Sequence, residues 1–210
     1  MLSFLFPPIC PLCAKELLDK GEHICKSCSK EQIFIKEPTC YSCGKPMKNH
    51  EKEYCSDCRQ HPKNFERGMG LCIYQKPVTN SLAAIKYKNE RKFAKYYLEE
   101  IQKRKYRDLL QLKIDVIIPV PIHRKKRRKR GFNQAEIFAN GIAEMLNKPM
   151  YTKIVERIHD TKPQKQLNPG ERKSNLKKAF RGNLKEYQRA GMPKRVLLVD
   201  DIYTTGSTME

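Results

Sequence analysis

Residues 196–208 read Val196-Leu197-Leu198-Val199-Asp200-Asp201-Ile202-Tyr203-Thr204-Thr205-Gly206-Ser207-Thr208. The four apolar residues that open this run predict a central, buried strand, and the carboxyl end of such a strand is where open α/β sheets place their ligands. The acidic pair Asp200-Asp201 therefore faces a site. Two adjacent carboxylates can accept hydrogen bonds from vicinal ribose hydroxyls and can hold a hydrated Mg²⁺. Behind them Thr204, Thr205, Ser207 and Thr208 offer hydroxyls and Gly206 permits a tight turn, so backbone N–H groups and the next helix N-terminus can wrap a phosphate monoester. The lysine of a Walker loop is absent, which favours a terminal sugar phosphate over the β and γ phosphates of a nucleoside triphosphate.

Working upstream, Asp115-Val116-Ile117-Ile118-Pro119-Val120 is too short and too branched for a helix and predicts a buried parallel strand. It opens into a basic loop, Pro121–Gly131, in which Arg124–Arg130 is a run of consecutive cations. A helix is expected from Asn133 to Leu146, because Ala135, Phe138, Ala139, Ile142, Met145 and Leu146 recur at helical spacing. Ile154–Arg157 reads as a short strand, Asp160–Ser174 as a polar loop and Arg195–Val199 as the last strand. Before them lie two helical stretches, Pro77–Tyr87 and Asn89–Leu110, and an apolar run, Met69–Tyr74, that reads as a strand. Strands alternating with helices imply a parallel sheet with right-handed crossovers.

The first sixty residues follow another rule. Cys10-x2-Cys13 and Cys25-x2-Cys28 form one unit, and Cys40-x2-Cys43 and Cys55-x2-Cys58 repeat it with the same spacing. A segment this small needs a staple. Two CxxC turns present four thiolates, which suits tetrahedral Zn²⁺, so two structural zinc ions are expected, with disulfides or an iron–sulfur cluster as rivals. The spacing fits sequential sites, which are favoured here, and interleaved ones. Four thiolates leave no open coordination position, so the module is structural or a docking surface and not catalytic. His23, His50 and His61 lie near these cysteines, but each set is already saturated. Cys72 reads as a small buried side chain, and His123 and His159 as surface residues. Pro62, Lys63 and Asn64 break the pattern, giving residues 1–62 as the zinc module and 63–210 as an α/β domain.

The chain carries 43 Lys and Arg against 23 Asp and Glu, a formal charge of +20. That excess draws polyanions, either nucleic acid or phosphorylated small molecules. No apolar stretch is long enough for a membrane span, and Met1–Ile9 lacks a basic leader, so a reducing cytoplasm is expected. Phe132, Tyr203, Tyr87 and Tyr41 are aromatic side chains able to stack on bases, with Tyr87 and Phe132 also readable as core.

The run Val196–Thr208 resembles the phosphoribosyl-pyrophosphate motif of type I phosphoribosyltransferases. Pro119-Val120-Pro121-Ile122-His123, leading into Arg130-Gly131-Phe132-Asn133-Gln134-Ala135, is similar to the signature of the ComF competence-protein family, as is the later stretch from Gln166 through Glu171, Arg172 and Asn175 to Phe180. A double zinc ribbon ahead of a phosphoribosyltransferase-like domain resembles the same family. The resemblance implies that Asp200 and Asp201 hold ribose hydroxyls with Mg²⁺, that Thr204, Thr205, Gly206, Ser207 and Thr208 bind the 5′-phosphate, and that Arg124, Arg128 or Arg130 meets the pyrophosphate. It implies a protein of natural transformation that handles incoming single-stranded DNA beside a helicase-like competence protein. Were the domain to turn over, it would be a pentosyltransferase, with no general base in evidence: purine-salvage members carry an acid where this chain has Thr204. The family continues past the motif with a helix and a further strand, so the C-terminal part of the α/β domain is expected to be missing here. A metabolic phosphoribosyltransferase with an unknown acceptor and a zinc-dependent docking adaptor without catalysis are the competing readings.

Overall fold

The cysteine repeat builds the same turn twice. Cys10 N donates to Lys15 O at 2.7 Å and Ala14 N to Cys10 O at 2.8 Å, and the same bonds recur at 2.8 Å from Cys40 N to Lys45 O and from Gly44 N to Cys40 O. Antiparallel bridges Ile9↔Glu16 and Thr39↔Pro46 close the two hairpins. A left-handed residue stands at the same place in each, Ala14 at φ 61° and Gly44 at φ 69°. Gly44 has a second reason to lack a side chain: a Cβ there would lie 2.6 Å from Gly68 O. The second cysteine pair of each set starts a short helix, α1 (Lys26–Ser29) and α2 (Ser56–Gln60), with Cys25 and Cys55 as extended N-cap residues.

These observations come from a computed structural model that describes residues 8–17, 23–159, 179–204, 206 and 209. The chain forms two compact units, Met1–Arg104 and Lys105–Glu210. Met69–Tyr74, expected as a strand, makes a single antiparallel bridge, Phe34↔Cys72, flanked by Ile35 N donating to Leu71 O at 3.0 Å and Ile73 N to Ile33 O at 2.8 Å. The chain turns immediately afterwards, with Gln75 N bonded to Ile73 O at 2.9 Å, so no longer ladder forms. This pairing draws the residues beyond 62 into the first unit, and the division between units falls within a later helix. That unit also holds α3 (Val78–Lys88), whose Val78, Leu82 and Ile85 are buried at helical spacing, a 3₁₀ turn (Arg91–Phe93) and the start of α4 (Ala94–Gln111). Glu100 is buried on α4 and paired with Lys103 at 3.0 Å and Arg104 at 2.8 Å. The Arg104 guanidinium lies 3.7 Å over the Phe34 ring, which ties α4 to the bridge segment.

In the second unit β1 (Val116–Pro119) is buried throughout and pairs in parallel with β4 (Val196–Val199), from Val116↔Val196 to Pro119↔Val199. On its other side a parallel bridge joins Ile117 to Met150. β1 is therefore the inner strand, which corrects the expectation for residues 196–199. Val196 and Leu198 stay 39% and 37% exposed, because β4 has β1 on one side and no second paired strand among the described residues. Asp115 fixes the register: its Oδ2 accepts Lys194 N at 2.9 Å and Arg195 N at 2.8 Å. The bond from Arg195 N holds the Asp115 carboxyl below its ordinary range.

Helix α6 (Gln134–Leu146) packs on β1 and β4 through Ala135, Phe138, Ala139 and Ile142. On one face of β1, Val116 and Ile118 cluster with Ile154, Tyr151 and Tyr187. An antiparallel pair, β2 (Val155–Arg157) with β3 (Phe180–Gly182), and helix α7 (Leu184–Arg189) complete the unit, β3 and α7 being additions to the sequence reading. The polar stretch Asp160–Ser174 lies outside the described residues, as do Gln166, Glu171, Arg172 and Asn175 of the family signature, whose end at Phe180 is described.

The basic segment expected as a loop is a helix, α5 (Arg124–Arg130). Seven consecutive cations repel one another, yet both helix ends are built. His123 Nδ1 accepts Lys125 N at 3.4 Å, and Gly131 closes the C-terminus at φ 82°. Arg127 pairs with Glu136, and cations in the last turn suit the negative end of the helix dipole. His123 is accordingly buried, not a surface residue. No helix among the described residues is long and apolar enough to cross a membrane.

Candidate functional site

The eight paired cysteines converge as two sequential sets, Cys10, Cys13, Cys25 and Cys28, and Cys40, Cys43, Cys55 and Cys58, with the four sulfurs of each set within 4.8 Å of one another. Cys13 Sγ and Cys25 Sγ are 3.6 Å apart, and Cys43 Sγ and Cys55 Sγ 3.8 Å. A disulfide needs about 2.05 Å, whereas a tetrahedron of sulfurs at about 2.3 Å from Zn²⁺ has edges of roughly 3.8 Å. The sets therefore fit the metal, and all nine cysteines are free thiols. Cys25 N points at Cys10 Sγ at 3.5 Å and Cys55 N at Cys40 Sγ at 3.3 Å, so the repeat extends to the N–H···S bonds that favour thiolate. The Ser27 hydroxyl, 3.1 Å from Cys25 Sγ, lowers that thiol to about 6. Burial pushes Cys28 and Cys43 upward, and a divalent cation is what lets four such groups ionise together. His23 pairs instead with Glu99, Nδ1 to Oε2 at 3.0 Å, and joins neither set.

The second constellation sits at the carboxyl ends of β1 and β4, which Val120 N joins by donating to Val199 O at 2.8 Å. Asp200 and Asp201 follow at once, both half-buried, with Asp201 N donating to Asp200 Oδ1 at 2.9 Å. Gln134, buried at the first turn of α6, donates from Nε2 to Asp201 Oδ1 at 3.1 Å, and its Oε1 accepts from the Arg130 guanidinium. A relay of Arg130, Gln134 and Asp201 thus ties the basic helix to the acidic pair. Arg124 and Arg128 stay exposed on α5.

Asn133 positions the relay. It is 1% exposed, its Oδ1 accepts Ala135 N at 3.2 Å as the α6 cap, and its Nδ2 donates to Val120 O at 3.0 Å, holding the helix start to the end of β1. Thr204 is exposed and Gly206 buried at φ 82°, where a Cβ would collide with the Tyr203 hydroxyl. Thr205, Ser207 and Thr208 lie outside the described residues. The sequence reading gave no role to His123, Asn133 or Gln134. Asn133 carried a usable signal, an N-cap residue directly before an apolar period. Gln134 stands in the family signature, but nothing in the sequence joins it to a partner 67 positions along the chain.

Two four-sulfur ribbons and an α/β unit with a parallel sheet define the class. Residues 1–59 match the double zinc ribbon domain family. Competence protein F of Haemophilus influenzae is 39% identical over 100 residues, 47% of this chain and 43% of that protein. The DNA utilization protein YhgH of Salmonella typhimurium is 34% identical over 116 residues, 55% of this chain and 48% of that protein. Competence protein ComFC of Bacillus subtilis is 30% identical over 94 residues, 45% of this chain and 35% of that protein. The chain thus matches less than half the length of each of these relatives. Together with the zinc ribbon they support the ComF family for this chain. No solved structure matches it.

Proposed function

We propose that the chain serves DNA utilization in competence by holding single-stranded DNA on a phosphoribosyltransferase-like scaffold. One observation carries the reading: a helix of seven cations and a carboxylate pair stand at the same strand ends, joined by Arg130, Gln134 and Asp201. The cations meet phosphates. The carboxylates accept ribose hydroxyls and, with Mg²⁺, take a ribose 5-phosphate group such as that of phosphoribosyl pyrophosphate, its 5′-phosphate met by residues 204–208. Asp200 and Asp201 suit Mg²⁺ because that ion needs one or two carboxylates and takes its other ligands from water and substrate phosphates. A helicase-like competence protein in the cytoplasm is the partner this reading expects.

The same carboxylate pair favours a second reading, a phosphoribosyltransferase acting on a small acceptor. It requires pyrophosphate release from phosphoribosyl pyrophosphate that Asp201→Asn abolishes.

Exposed Arg124, Arg128 and Lys129 supply the test of the DNA reading. Changing all three to Gln is expected to reduce the slope of log affinity against log salt by about 2 for a single-stranded oligonucleotide, from about 0.7 per phosphate contact. Fluorescence anisotropy across a salt series reads this. An unchanged slope would remove α5 from the DNA surface.

A further inference from the structure

The internal repeat supplies its own control, because one ribbon carries side chains that the other does without. At the positions flanking the metal ligands, the first ribbon has Pro11 after Cys10 and Ile24 before Cys25, whereas the second has Tyr41 after Cys40 and Tyr54 before Cys55. Pro11 is buried, but Tyr41 is 57% and Tyr54 38% exposed. The ribbon fold therefore does not require rings at these places, and burial does not explain them.

The two rings are arranged together. Their centroids lie 6.1 Å apart at 73°, and Tyr41 N donates to Glu53 O at 2.8 Å, which joins the two turn segments that carry them. The Arg67 guanidinium stands 5.6 Å from the Tyr41 centroid. Lys48, Lys52 and Arg67 are exposed in the same ribbon. Each ring is the chain neighbour of a cysteine of the four-sulfur set, so its backbone is held where the two cysteine pairs converge and little is left to order on binding.

We propose that Tyr41, Tyr54 and Arg67 form a platform on the second ribbon on which nucleobases of single-stranded DNA stack. The inference rests on the DNA reading given above and adds a second site to it, chemically distinct from α5. An aromatic face takes any base because every base has a π face, a guanidinium strengthens the stack, and nearby ammonium groups follow the backbone. A duplex hides its base faces and is not taken up.

The full chain is tested with an oligothymidylate and with an abasic strand of the same length. Tyr41→Ala with Tyr54→Ala is expected to weaken oligothymidylate binding at least about tenfold while leaving abasic-strand binding and the salt slope unchanged, since stacking contributes roughly 1–3 kcal/mol per base. Tyr41→Phe with Tyr54→Phe is expected to bind as the parent does. Zinc content verifies the ribbon. Should the alanine variant lose metal, Tyr41→Leu with Tyr54→Ile, the latter being the first ribbon's own residue, must show the same tenfold loss. Equal oligothymidylate affinity in parent and leucine–isoleucine variants would overturn the platform while the α5 result keeps the DNA reading. Equal losses on thymidylate and abasic strands would also overturn it. A parent chain that binds neither strand would sink the DNA reading and the platform with it.

Discussion

Replacing Cys40 by Ser is expected to drop the zinc content from two ions per chain to one and to unfold the second ribbon. Cys40 is 1% exposed, its sulfur belongs to the second four-sulfur set, and that sulfur also receives Cys55 N at 3.3 Å. One substitution thus removes a ligand and the bond that holds the second cysteine pair to the first. Structural zinc sites contribute apparent binding free energies of about 10–16 kcal/mol at neutral pH, and small ribbons have no comparable apolar core to fall back on. The loss spreads beyond the ribbon turn, because Gly44 and Gly68 meet backbone to backbone and Gly68 leads into the bridge segment of the first unit. Colorimetric zinc release, with amide exchange across residues 38–60, reads the result. Cys72→Ser is the control and keeps both ions, since Cys72 belongs to neither set. Protons compete with the metal for thiolate, so the affinity of both sites falls as pH falls. Retention of two zinc ions by Cys40→Ser would refute the assignment of these ligands.

What was legible in the sequence follows from how local each signal is. The cysteine sets were legible because ligand spacing is a chain-local constraint: two close pairs on tight turns can meet one ion. Helices α3, α4 and α6 were legible through their apolar period, and β1 through a branched apolar run too short for a helix. Helix α5 was not, since seven like charges read as a repelling loop while its closure depends on His123 and Gly131 at the ends and Glu136 on the next helix. The strand order was not legible either. Val196–Val199 has the composition of an inner strand, and only pairing decides that β1 takes the inner place. In the same way Asp200 and Asp201 announce a site, but the tie through Gln134 to Arg130 depends on a long-range contact.

Asn133→Ala is expected to destabilise the second unit by roughly 2–4 kcal/mol. The substitution removes the cap of α6, about 1 kcal/mol, and leaves Val120 O without its buried donor, about 1–3 kcal/mol. It also frees the start of α6, which carries Gln134, so the tether on Asp201 loosens with it. Asn133→Asp keeps the cap acceptor but sets a buried carboxylate oxygen against Val120 O in place of the donor, so it is destabilising too. Urea unfolding followed by a probe in residues 105–210 should therefore place both variants below the parent. An unfolding free energy for Asn133→Ala within about 0.5 kcal/mol of the parent's would contradict the role given to this residue.

The most direct test of the whole account is calorimetric titration of the zinc-loaded chain with phosphoribosyl pyrophosphate and Mg²⁺, beside the variant carrying Asp200→Asn and Asp201→Asn. Saturable, Mg²⁺-dependent binding to the parent that disappears in the variant is the predicted result. Absence of binding by the parent at saturating ligand, or equal binding by both proteins, would contradict the claim that the carboxylate pair at the ends of β1 and β4 is a ribose-phosphate site.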